Sequence, residues 1–244
     1  MSSYYKEYFN SKGKDVYSVD IFDTVLLRNY KSEYFRFYEL AKIVKSEFEL
    51  SIPVQSIFYA RVEAARLAYY IYGDKQSKEP SIDYIYTLMF NVLGITPSGE
   101  LLAKMLSLEL LYEKTQLSPN LPLINFLKKK KEQGALIIGI SDMYLNSSSI
   151  VDLVYSNGEE LIFDKLYSSA DFKESKREGS LYEIVINDLG LNKDKFIHCG
   201  DSYHSDFVMA NNYGISAVYT PRTKIWQLRN KLSHYMMLKK MGIA

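Results

Sequence analysis

Short apolar runs, each closed by a polar or acidic residue, mark both ends of this chain, and a long helical pattern separates them. Val16 to Val19 reads as a buried strand and stops at Asp20. Ala135 to Ile140 is continuously apolar, as strands covered on both faces of a parallel sheet are, and it runs into Ser141. Lys165 to Tyr167, Phe196 to Cys199 and Ala217 to Tyr219 are further short strands. Helices are predicted at Leu123 to Gln133, ending before Gly134, at Leu181 to Leu189 and at Asp206 to Tyr213.

From Ser32 to about Tyr112 the spacing changes to that of helices. Tyr34, Phe37, Tyr38, Ala41 and Val44 share one face, and Ile57 through Tyr72 forms a second helix. Gly73-Asp74 and Pro80-Ser81 interrupt the pattern before helices at Ile82 to Leu93 and Ser98 to Tyr112, where Ser81 and Ser98 suit N-caps. Beyond Pro221, the residues Trp226, Leu228, Leu232 and Tyr235-Met236 make an amphipathic helix whose stripe could cover the core or meet a partner, packing on its own domain being the expected case. The β-α alternation after residue 120 predicts a doubly wound parallel α/β core. The expected division is a core of residues 1–29 and 116–222, an inserted helical region of 30–115 and a C-terminal helix of 223–244.

The 244 residues are 47% hydrophobic and 24% charged, enough for a sizeable core. A net charge of +1 argues against nucleic-acid binding through a large basic surface, and the Lys128–Lys131 run suits a helix C-terminus. Cys199 stands alone, which excludes an internal disulfide, and it reads as a small buried residue. No apolar run approaches the ~18 residues of a membrane span. Met1 to Lys14 lacks the apolar segment of a signal peptide, so the cytoplasm is the expected location.

Ligands of open α/β sheets gather at the carboxyl ends of the strands. Asp20, Ser141 and Asp201 each stand at or just past such an end, although Asp20 and Asp201 are about 180 residues apart. A carboxylate there can attack phosphorus and form an acyl-phosphate. Ser141 and Lys176 could hold the phosphoryl oxygens, and Asp201 with Asp206 could hold Mg²⁺. A shared metal site needs the Asp20 and Asp201 side chains within about 8 Å, because each ligand lies ~2.1 Å from the ion. Taken singly, these residues also suit turns, helix caps and surface positions.

Together, Asp20-Ile21-Phe22-Asp23-Thr24-Val25-Leu26, Ile140-Ser141-Asp142, Lys176 with Gly179-Ser180-Leu181-Tyr182, and Gly200-Asp201 with Asp206 resemble the four motifs of the haloacid dehalogenase (HAD) superfamily. The resemblance covers about residues 15 to 220 and implies a Rossmann-like core with an all-helical C1 cap between the first and second motifs. It implies Asp20 as nucleophile, Ser141 as phosphate-binding hydroxyl and Lys176 as charge stabiliser, with Lys173 as the fallback lysine. Thr24, Ser141, Asp142 and Lys176 would contact substrate. Asp20, the Phe22 carbonyl, Asp201 and Asp206 would surround Mg²⁺. The wording Asp-Ile-Phe-Asp-Thr with Ser-Asp-Met-Tyr-Leu is similar to a bacterial subgroup associated with polysaccharide synthesis, which implies a glycosyltransferase or glycan-pathway partner.

One position departs from that pattern. Family phosphatases carry a general-acid aspartate two residues after the nucleophile, and here that position is Phe22. General acid–base help is worth on the order of 10²–10⁴ in rate. Asp23, His204 or a cap residue could substitute. The leading expectation is a Mg²⁺-dependent phosphatase for a small phosphorylated metabolite, a sugar phosphate among the candidates. The alternatives are a metal-independent dehalogenase-like hydrolase, or a degenerate domain that binds a phosphorylated ligand or a protein partner.

Overall fold

The computed structural model describes residues 5–73, 79–156 and 162–242, so Asp74 of the predicted break and the first four residues lie outside the description. Two compact units emerge. One takes residues 5–28, 79 and 117–222, and the other takes residues 29–73, 80–116 and 223–242.

The first unit is built on five parallel strands: β1 (Val16–Val19), β4 (Leu136–Ser141), β5 (Lys165–Ser168), β6 (Phe196–Gly200) and β7 (Ser216–Tyr219), in the order β5-β4-β1-β6-β7. Every residue of β1 and β6 is buried, Ser18 and His198 among them. The chain works outward from β1 through β4 to β5, then returns to β6 on the other side. That reversal opens a crevice at the carboxyl ends of β1 and β6, where ligands of doubly wound sheets bind. Ile138, Ile140, Tyr167, Leu181, Tyr182, Val185 and Phe196 pack one side of the sheet. At Gly139, a Cβ would stand 3.0 Å from Ile21 Cδ1 and 3.1 Å from Leu166 Cγ, so the strand there must stay bare.

Three local features went unread in the sequence. Strands β2 (Leu26–Arg28) and β3 (Leu117–Pro119) form a small antiparallel ribbon. A helix also spans Ser147–Ser156, started by Asn146, whose side chain accepts the Ser149 N–H. After β6, the helical turn begins at Tyr203 rather than Asp206 and is wound as a π-helix through Met209. Ser202 caps it by accepting the Ser205 N–H. Isolated π-turns of this kind are frequent at functional sites.

The second unit is helical: Glu33–Glu47, Val54–Gly73, Ile82–Val92, Gly99–Gln116 and Lys224–Lys240. Ser32, Ser81 and Thr223 cap three of these helices, each accepting an N–H three residues on. Its interior holds Phe37, Leu40, Val44, Phe58, Ile85, Met89 and Phe90. The C-terminal helix overturns one expectation. Leu228, Leu232, Tyr235 and Met236 face outward, while Ser233 and Met237 are buried. Its inner side meets the unit through polar contacts, including the Ser32 N–H donated to Ser233 Oγ at 3.1 Å. No described helix is long and apolar enough to cross a membrane.

Candidate active site

Asp20 leaves the end of β1 with its N–H donated to the Cys199 carbonyl of β6, which ties the two strand ends together. The chain then turns sharply. Val25 and Leu26 both donate to the Ile21 carbonyl, and Asp23 takes a left-handed conformation with φ 63°. From β6, Gly200 leads into Asp201 and the π-turn that brings Asp206 back. A Cβ on Gly200 would sit 2.3 Å from Asp206 Cγ, so only glycine permits this approach.

Folding thereby gathers Asp20, Asp201 and Asp206, with one oxygen from each carboxylate within 4.8 Å of the others. That is inside the limit set for a shared metal site. Lys176 enters from the loop before helix Ser180–Leu189, and its Nζ donates to Asp20 Oδ1 at 2.7 Å and to Asp206 Oδ1 at 2.6 Å. Lys173, in contrast, is an exposed left-handed residue at the end of a short helix. Asp142 positions the lysine rather than facing outward. Its two oxygens accept the backbone N–H groups of Lys176 and Arg177 at 2.6 and 3.0 Å. Ser141 is buried at the end of β4. The Thr24 hydroxyl is buried near Asp20 without a hydrogen bond among the described residues, and its carbonyl accepts from Asn120 Nδ2 at 2.8 Å.

One lysine faces three carboxylates here. Burial raises the Asp20 carboxyl to about 7, against the lowering effect of Lys176 and with repulsion from Asp206 adding to the rise. Burial, then the charges of Asp20, Asp23 and Asp206, lift Asp201 to about 8. Asp206 moves the other way: Lys176 and His198 outweigh its burial and hold it well below the usual carboxylate range. Lys176 is raised because its acidic neighbours outweigh its own desolvation. Two carboxylates held near neutrality in the free protein are the signature of a site short of positive charge.

Sequence reasoning missed His198. It lies fully buried on β6, with Nε2 3.3 Å from Asp206 Oδ1 and Nδ1 2.7 Å from Ser18 Oγ. Burial keeps the ring below the usual histidine range. An ionised Asp206 can only accept, so the neutral ring donates from Nε2 and takes the Ser18 proton at Nδ1. Asp206 Oδ2 also accepts the Ser202 N–H at 2.9 Å. A histidine inside an apolar strand carries no local sign of this role; only its facing of Asp206 reveals it. Cys199 is buried with its thiol pushed up, which leaves it unreactive.

The candidate proton donors Asp23 and His204 are each engaged by other groups. Phe22 is buried, and the Arg28 guanidinium lies 4.3 Å from its ring centre. Asp23 accepts from the Arg28 N–H at 3.2 Å and forms ion pairs with Arg28 and Arg222. His204 Nε2 lies 3.2 Å from the Arg177 carbonyl.

No protein-family model and no curated protein matches the sequence. Solved structures do match. A HAD family enzyme from Bacteroides thetaiotaomicron superposes with a TM-score of 0.57 at 16% identity, over 87% of this chain and 96% of its own. The fold is HAD-like. The same enzyme in complex with magnesium and inorganic phosphate gives a TM-score of 0.55 at 17% identity, covering 86% of this chain and 96% of that one. An L-2-haloacid dehalogenase from Xanthobacter autotrophicus, with chloropropionic acid covalently bound, gives 0.58 at 13% identity, over 93% and 88% of the two chains. This HAD-like fold thus occurs with both phosphate-binding and carbon-attacking sites. The residues of the present site must discriminate.

Proposed function

We propose that the protein is a Mg²⁺-dependent phosphohydrolase acting on a small phosphorylated metabolite through an aspartyl-phosphate on Asp20. The observation that carries this reading is the cluster of three carboxylates within 4.8 Å, where Lys176 alone balances the charge and two acids rise to about 7 and 8. A metal-free reaction at carbon would have little use for the second and third acids. The donor set fits Mg²⁺, a hard cation that favours carboxylates and keeps several waters. Asp20, Asp201 and Asp206 would hold it, joined by the Phe22 carbonyl that the motif resemblance implies. Its charge would offset repulsion between Asp20 and a phosphate dianion.

The chain's own residues do the rest. Asp20 attacks phosphorus and displaces the leaving oxygen. Lys176, fixed through Asp142, offsets charge on the phosphoryl group, and Ser141 and Thr24 offer hydroxyls to its oxygens. Water then cleaves the acyl-phosphate and restores Asp20. The helices inserted between β2 and β3 in the sequence, from Glu33 to Gln116, would form the cap that sets the substrate. A sugar phosphate and a glycan-synthesis context are the narrower reading, supported by the motif wording alone.

A second reading has its own support. Phe22 and the ion-paired Asp23 leave the leaving alcohol without an adjacent acid, as in a dehalogenase-like site or a domain that only binds phosphate. A screen of phosphorylated metabolites and 2-haloacids with and without Mg²⁺, beside Asp20→Asn, separates these readings. The expected result is metal-dependent phosphate release that Asp20→Asn removes. Release of halide without metal would assign the dehalogenase reaction, and phosphate binding without turnover would assign the binding domain. For a phosphatase lacking its acid, aryl phosphates should outrun alkyl phosphates, and Phe22→Asp should raise the alkyl rate the more.

A further inference from the structure

The helix Lys224–Lys240 packs inside out. Its inner side is mixed: Met237 is buried and Trp226 half-buried, beside Asn230, whose Nδ2 donates to the carbonyls of Tyr30 and Lys31, Ser233, bonded to Ser32, and His234, whose ring lies 5.0 Å from that of Tyr34. Its outer side carries Ile225, Leu228, Leu232, Tyr235 and Met236, which are 69, 69, 56, 57 and 59% exposed. Burying polar residues and exposing large apolar ones reverses what a terminal helix gains from packing on its own domain.

The exposed residues obey a strict spacing. Ile225, Leu228, Leu232 and Tyr235 follow i, i+3, i+7, i+10, the a and d positions of two heptads. At about 100° per residue the whole exposed group, Met236 included, spans an arc of only about 100°. That is the width of a helix–helix seam. Lys224 and Lys231 flank it at g positions and Arg229 at e, all exposed, and Lys239 closes it at the next a position. The helix contains no Asp or Glu.

We infer that this seam docks an acidic amphipathic helix of another protein, with apolar residues at its a and d positions and glutamates at e and g. Charge selects the partner class. A second copy of the same helix would set Lys and Arg against Lys and Arg along both flanks, which is repulsive at every pair. A lipid surface is the competing occupant, which vesicle co-sedimentation separates. Docking there does not depend on the proposed chemistry.

Two labelled synthetic heptad peptides test the inference against the full chain by fluorescence anisotropy. Both carry Ile at a and Leu at d; one has Glu and the other Lys at e and g. The acidic peptide should bind, should weaken as salt is raised, and should lose about tenfold or more in affinity to the Leu228→Ser/Leu232→Ser variant, whose changes are confined to exposed positions. In Arg229→Glu/Lys231→Glu the preference should pass to the basic peptide. Equal binding of both peptides, or of neither, overturns the inference. So does a dimer in sedimentation velocity that the Leu228→Ser/Leu232→Ser variant abolishes, which would give the seam to a second copy. Co-sedimentation with phosphatidylserine vesicles without acidic-peptide binding would give it to a membrane and overturn it equally.

Discussion

Each unit buries charge, but only one balances it. In the helical unit Arg61 and Glu109 are both 2% exposed and meet through two guanidinium nitrogens, at 2.9 Å for the shortest contact. Tyr86 donates to the same glutamate at 2.9 Å, and the Phe37 ring lies 4.4 Å beneath the guanidinium. Arg36 and Glu113 form a second buried pair at 3.4 Å. In the sheet unit, Lys176 pairs with Asp20 and Asp206, and the third carboxylate of the cluster, Asp201, forms no ion pair with it. Matched pairs in an interior complete themselves and act as structural joints. An unmatched cluster is costly until a cation arrives, and cost without structural need marks a site.

Breaking a matched pair should give the largest change in stability. Arg61→Met leaves Glu109 buried and uncompensated, and urea unfolding should show a loss of about 3–5 kcal/mol. The double variant Arg61→Met/Glu109→Leu should recover most of that loss. Asp20→Asn in the other unit should behave oppositely, holding or raising stability in metal-free buffer while removing turnover. If it destabilises as Arg61→Met does, the two clusters are alike and the contrast between them fails.

A smaller effect concerns how the unmatched cluster is held. His198→Phe removes the N–H directed at Asp206 and should lower Mg²⁺ affinity about 10–100-fold by calorimetry, as loss of a ligand's supporting partner does. His198→Gln keeps a donor and should restore part of it. Equal affinity in all three proteins would mean that Lys176 and the Ser202 N–H orient Asp206 without the ring.

The mildest signature is a pH slope in the metal-free protein. The folded-state pKa values of Asp20 and Asp201, about 7 and 8, lie above the ordinary value of 3.8, so the folded state holds these protons more tightly than the unfolded chain. The resulting stability is present at low pH and lost as pH rises through both values, with a slope of at most about 1.4 kcal/mol per pH unit for each carboxylate. Asp206 is shifted down, so its contribution is full above the ordinary range and is lost only in acid. Thermal melts from pH 5 to 8 should therefore decline without metal and flatten with saturating Mg²⁺. A flat metal-free profile would show that the cluster is not short of positive charge.

The parallel core was legible because strands buried on both faces cannot hide their composition. Val16–Val19 and the apolar run up to Ser141 declare themselves without any partner. Helix starts at Ser81 and Ser98 were equally local, each satisfied by a hydroxyl three residues upstream of the N–H it accepts. Asp20, Lys176, Asp201 and Asp206 could be nominated because each departs from its apolar surroundings. The gathering of the three carboxylates within 4.8 Å of one another could not. Nor could the π-turn from Tyr203, the role of His198, or the ribbon of β2 and β3, since each depends on a residue distant in the chain. The C-terminal helix marks the boundary most sharply. Its periodicity determined that it would be amphipathic, but periodicity defines faces only relative to one another. Which face turned inward was decided by the contacts of the assembled unit, which took in Ser233 and Met237 and left Leu228 and Leu232 outside.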